Sequence, residues 1–151
     1  HKIKLLLAEQ RYLDVVDYFQ NELNQQELQI WGEEYVAALS GLSAQGDSLL
    51  AEEKYGRAGK IFKVVLDRYP NQTALSEKMP RSQREIQSLI TLCSERMMTT
   101  GLLAYREGRI QEAITVWQEI LSFNPDHKAS RDAIKTASAQ LSNLEQLGTE
   151  Q

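Results

Sequence analysis

In a chain of 151 residues, chemistry would show first in phosphate-binding glycines, histidines, thiols and paired carboxylates. Each is present here in a form that falls short. Gly56-Arg57-Ala58-Gly59-Lys60 has the composition of a phosphate loop. That loop needs its two glycines separated by four residues and a Ser or Thr after the lysine, to cradle phosphates and hold magnesium. Lys54 stands where the first glycine should be, Ile61 follows the lysine, and the segment reads as helix with no strand before it. The two histidines are His1 and His127, too few for a zinc site of three or four ligands. His127 follows Pro125-Asp126 at an expected helix start and is expected to be solvated. Cys93 is the single cysteine, which excludes an internal disulfide. It has no histidine within local reach to make it a nucleophile. Glu33-Glu34 and Glu52-Glu53 diverge around a helix, whereas acid/base carboxylates must converge on one substrate. Asn71-Gln72-Thr73 fits a glycosylation acceptor, which matters only in a secreted eukaryotic protein. With no converging nucleophile, base or metal set, the sequence points away from an enzyme and implies no cofactor.

The elements that carry these residues repeat. Three segments align: Gln10-Arg11-Tyr12 onward, Glu53-Lys54-Tyr55 onward and Gly108-Arg109-Ile110 onward. In each, an apolar residue (Tyr12, Tyr55, Ile110) is followed three positions later by a small or β-branched one (Val15, Ala58, Ala113). Four further on stands an aromatic (Phe19, Phe62, Trp117), and four further again a leucine (Leu23, Leu66, Leu121). Steps of three, four and four put all of these on one helix face. Pro70 and Pro125 then stop the second and third copies, and Gly46 and Gly101 each precede the small alanine by 12 residues. The small residue admits a close helix approach, and the aromatic is expected to fill the gap between successive pairs. One pair cannot bury its own apolar face, so copies stack.

Gly101, Tyr105, Gly108, Ala113, Trp117, Leu121 and Pro125 resemble the tetratricopeptide repeat signature, and Gly46, Ala58, Phe62, Leu66 and Pro70 match it with Glu53 at the usual turn glycine. The resemblance covers about two thirds of the chain; the amino-terminal copy is the weakest. It implies an all-α fold: a helix-turn-helix solenoid of about seven helices, an αα superhelix closed by a carboxy-terminal capping helix. Residues 1–151 then form one domain, with a partial first repeat at 1–26, a second at 27–70, a third at 82–125 and the cap at 126–151. The family period is 34 residues, whereas these copies stand 43 and 55 apart, so the first helix of each pair is lengthened, as in repeats of bacterial envelope proteins.

Periodicity and caps predict helices near 1–9, 11–25, 28–52, 55–69, 82–107, 110–123 and 127–146, with a loop at 70–81 that holds at most one short turn. Leu28, Trp31, Tyr35, Leu39, Leu42, Gly46 and Leu49 form one stripe of the long helix. Ser82 and Glu85 have capping-box spacing. In the last helix Ala129, Ala133, Ala137, Leu141 and Leu144 are expected to face the stack, with Lys128, Arg131, Asp132, Lys135 and Gln140 opposite.

Stacked pairs curve and present the first helices as a groove for a peptide or partner helix. The resemblance places groove positions at Ser43, Asp47, Leu50, Met98, Leu102, Tyr105 and Arg106. The helices at 39–52 and 94–107 contain no asparagine or lysine, which argues against the family's carboxylate clamp and leaves Arg96 and Arg106 to meet an acidic group. The expected partner is another protein, with self-association the alternative, Trp31 and Tyr35 supplying an end-to-end contact. A net charge of −4 gives no overall basic footprint for nucleic acid. No apolar run reaches the ~20 residues of a membrane span, so no insertion is expected. The sequence begins with His1 inside a helical pattern, as a piece of a longer polypeptide would. The compartment stays open, and a bacterial envelope is suggested by the resemblance alone.

Overall fold

The computed structural model describes residues 2–19 and 25–149, and for Leu28 and Thr149 the backbone only. His1 and Leu23 therefore lie outside the described residues. The described residues are all-helical, with no strand. The order is α1 (Lys2–Ala8), α2 (Tyr12–Tyr18), α3 (Gln25–Ala51), α4 (Tyr55–Asp67), α5 (Thr73–Ser76), α6 (Gln83–Arg106), α7 (Ile110–Phe123) and α8 (Lys128–Thr149). α5 is the short turn within the expected loop.

Three tight turns join α1 to α2, α3 to α4 and α6 to α7, and they are the same turn. Gln10, Glu53 and Gly108 occupy the left-handed region, at φ 58°, 60° and 83°. The next residue's N–H closes each helix end: Arg11 to Leu6, Lys54 to Leu49 and Arg109 to Ala104, all at 2.9 Å. This is the Schellman arrangement, which satisfies carbonyls that a helix end leaves orphaned. In each copy the basic residue also pairs with the glutamate two positions earlier: Arg11 with Glu9, Lys54 with Glu52, Arg109 with Glu107. Glu-x-Arg/Lys is thus a further repeated signal.

The aromatics lock the pairs by seating rings where a Cβ is missing. A Cβ on Gly46 would lie 2.7 Å from the Phe62 ring, and one on Gly101 would overlap Trp117. Both seats lie within one pair, which corrects the expectation that these aromatics fill gaps between pairs. Rings that do bridge pairs are Tyr12 on Gly41 (2.5 Å), Phe123 on Gly59 (2.6 Å) and Phe19, edge-on to Tyr35 at 5.9 Å. Val15, Ala58 and Ala113 are fully buried, as the repeat requires.

Helices pack on their sequence neighbours: α2 on α3, α4 on α6, and α7 on α6 and α8. The pairs are advanced along the helix axes like stairs. Tyr12, at the start of α2, meets Gly41, ten residues before α3 ends. Glu119, nine residues into α7 from Ile110, meets Gly56 and Lys60 at the start of α4. Tyr105, next to the end of α6, bonds Gln140, nine residues before α8 ends. At 1.5 Å per residue, each step is about 12–15 Å. The 27 residues of α3 span about 40 Å against about 20 Å for the 13 of α4. α5 covers part of that excess: Leu75 rests on Gly32.

The segment between α4 and α6 is pinned to α3. The Tyr35 hydroxyl donates to the Arg68 carbonyl (2.6 Å), and Tyr69 donates to the Arg81 carbonyl (2.8 Å). The Ser82 hydroxyl accepts from the Glu85 N–H (3.1 Å), which caps α6 as its spacing predicts. α8 packs through Ser130, Ala133, Ile134, Ala137 and Leu141, while Ala129 and Leu144 are exposed. The expected stripe was therefore out of phase at its start. Ser130 is tolerated inside because its hydroxyl bonds the His127 carbonyl (3.0 Å). His127 is a cap rather than a free side chain, since its Nδ1 accepts the Ser130 N–H (3.3 Å). No described helix is long and apolar enough to cross a membrane.

Two substitutions at one turn position should move stability oppositely. Left-handed backbone costs an L-residue about 1–2 kcal/mol, partly offset by the entropy glycine loses on folding. Glu53→Gly should raise unfolding free energy by about 0.5–1 kcal/mol and Gly108→Ala should lower it by a similar amount, read from urea denaturation. Gly101→Ala should cost about 1–3 kcal/mol by overpacking against Trp117, despite the better helix propensity of alanine.

Candidate interaction surface

The seven groove positions fall into two groups. On α3, Ser43 is 2% exposed and Leu50 is partly buried against the core. Arg81 joins Ser43 to Asp47: its Nη1 donates to Ser43 Oγ (3.1 Å) and lies 2.8 Å from Asp47 Oδ1. Asp47 therefore meets solvent beside a guanidinium that the sequence reading did not single out, and Ser43 is buried beneath it. The signal was faint, a lone arginine between Pro80 and Ser82.

On α6, Met98 and Tyr105 are partly buried against the core, and Leu102 and Arg106 are exposed. The Met98 carbonyl accepts the Trp117 indole N–H (3.4 Å), and the Tyr105 ring centre lies 6.1 Å from that of Trp117. The Tyr105 hydroxyl bonds the Gln140 amide oxygen, tying α6 to α8. Among the described residues Arg106 has no ion pair.

These two groups do not face each other. Arg81, at the foot of α6, reaches Asp47 near the end of α3. Met98 and Arg106 lie 15 and 23 residues beyond Gln83, about 22 and 35 Å further along α6. The stair-like advance carries them past the end of α3. It also uncovers Leu103, which is 52% exposed beside Leu102 at 39%, and which helix periodicity did not flag.

The residues weighed for chemistry are placed as follows. Gly56 to Lys60 lie inside α4; Gly56 faces Glu119, Gly59 receives Phe123, and Lys60 pairs with Glu119 at 3.2 Å. Cys93 is fully buried, and burial pushes its thiol up to about 11. Burial also raises the Tyr35 hydroxyl, with Arg68 opposing, so it remains a donor at neutral pH. Among the described residues, no three His, Cys, Asp or Glu side chains gather to hold a metal.

Removing Arg81 leaves a buried hydroxyl and a carboxylate without their shared donor. Bonds to charged groups contribute about 1.5–3 kcal/mol, less where water reaches the pair. Arg81→Ala should cost about 1–2 kcal/mol in urea denaturation; no loss would mean that the strap is idle. Cys93 should resist iodoacetamide at pH 8 in native buffer and react once denatured, with mass spectrometry as the readout.

No protein-family model, curated protein or solved structure matches this chain.

Proposed function

We propose that this chain is a non-catalytic protein-interaction module, a tetratricopeptide-like solenoid that receives a peptide or helix of another protein on the face of α6 next to α8. The observation that carries this reading is the exposure of Leu102 and Leu103 beside Arg106, a cation without an ion pair among the described residues. Interfaces favour tyrosine, arginine and methionine, and Tyr105, beside Arg106 and Met98, is held by Trp117 and Gln140. Met98 lines the base of the same surface. Ser43, Asp47 and Leu50 gather about Arg81 on a separate part of the surface, where Ser43 is buried and the Arg81–Asp47 pair meets solvent.

The axial advance supports a broad, shallow ramp rather than a narrow superhelical groove. A ramp suits an extended or helical segment better than a small molecule, since small ligands need concave pockets that bury most of their surface. The second reading is a structural or oligomerisation element of a larger bacterial envelope or secretion assembly. The apolar residues exposed at both ends of the stack favour it.

The test is selection of peptides from a displayed library, followed by fluorescence anisotropy with the winners. Leu102→Lys with Arg106→Glu should weaken binding at least about tenfold, the loss of one hot-spot contact, with unchanged circular dichroism. Equal affinity for the variant, or no selected peptide, would contradict the assignment of this face.

A further inference from the structure

Among the described residues, the large apolar side chains exposed to water lie at the two ends of the stack, apart from Leu102 and Leu103 on α6. Leu5 on α1, Leu13 and Tyr18 on α2 and Ile30 on α3 stand at the amino-terminal end, at 59%, 46%, 53% and 63% exposure. Leu144 and Leu147 stand on the overhang of α8, at 50% and 59%. None lies on α4 or α7, each of which is packed between its neighbours, nor on α5, which rests on α3. The charges at these two ends are opposite. Residues 2–53 contain ten carboxylates, most of them on or beside α2 and α3, against three cations, Lys2, Lys4 and Arg11. Arg68, Lys78 and Arg81 reach back to three of them, Arg11 pairs with Glu9 and Asp14 and Lys54 with Glu52, and the Lys78–Glu33 contact is loose, at 3.7 Å with the Glu33 side chain 83% exposed. Lys128, Arg131 and Lys135, at spacings of three and four, share one face of α8 with a single carboxylate, Asp132. That face points away from the packed residues Ser130, Ala133 and Ala137, and none of the three cations has an ion pair among the described residues.

We propose that copies of this chain associate end to end, the acidic α1–α3 end of one copy seated against the basic outer face and leucine overhang of α8 in the next. The two patches differ, so the contact is heterologous, and a heterologous contact that does not close produces an open row of copies. The stair-like advance favours an open row, because the same axial step that relates one pair to the next would carry each copy past the one before it. Trp31 is partly buried and Tyr35 buried, so Ile30 and the exposed residues of α1 and α2 form the contact at that end. This association uses the outer face of α8 and leaves the Leu102–Arg106 face of α6 open, so it is independent of the partner proposed there.

The test is sedimentation velocity of the whole chain over a concentration series. The weight-average coefficient should climb without a plateau at dimer, and the concentration for half-assembly should rise about tenfold or more when salt screens the charges. Two variants then separate a heterologous contact from any other. Lys128→Glu with Arg131→Glu and Lys135→Glu disables the basic end; Ile30→Lys with Glu33→Lys disables the acidic end. Every substituted side chain is solvent-exposed, so the fold should survive, as circular dichroism would verify. Each variant alone should be monomeric. Their equimolar mixture should form a discrete dimer, since each retains the end the other lacks. A chain that stays monomeric at every concentration overturns the proposal, and so does association that both variants retain or a mixture that stays monomeric.

Discussion

The structure depends on aromatic rings pressed onto backbone that has no Cβ. Trp117 on Gly101 and Phe62 on Gly46 bring the two helices of a pair into close approach, and Tyr12 on Gly41 and Phe123 on Gly59 do the same between pairs. A ring on a glycine admits one register, because a shift of one residue would drive it into a side chain. Each seat therefore fixes the axial position of one helix against another as well as the spacing between them. The dispersion gained is collective, and it holds only while the fit is close.

The axial advance follows from where those seats fall. Gly41 lies ten residues before the end of α3, and Gly59 lies at the start of α4 while its ring comes from the end of α7. Each pair is thereby carried beyond its predecessor. The linker from Arg68 to Ser82 holds the advance in place through Tyr35, Tyr69 and Arg81. The functional consequence is exposure. Leu102, Leu103 and Arg106 are open because α3 ends before reaching them, and Leu144 and Leu147 are open because α6 ends before reaching them.

Much of this architecture was legible in the sequence. Helix periods, the proline stops, the Ser82 cap and the three aligned turns could be read because each depends on residues within one or two helical turns of one another. Gly46 and Gly101 were visible since they recur in register. Gly41 and Gly59 were not, because their rings come from neighbouring pairs whose spacing varies between copies. The axial advance was illegible for the same reason, and with it the separation of Ser43, Asp47 and Leu50 from Met98, Leu102, Tyr105 and Arg106. A helical wheel reports which face a residue occupies and nothing of how far along the stack that face reaches. Ser130 in place of Ala129 shows a smaller limit: a serine reads as polar until a carbonyl within one turn satisfies its hydroxyl.

The central claim is that the axial advance opens one particular face for a partner. Amide chemical-shift mapping on the isotope-labelled chain, titrated with a selected peptide, tests it most directly. The account predicts perturbations concentrated at residues 98–106 of α6 and 133–143 of α8, with α4 silent. Perturbations centred on α4 and α7, or spread evenly over the chain, would contradict it.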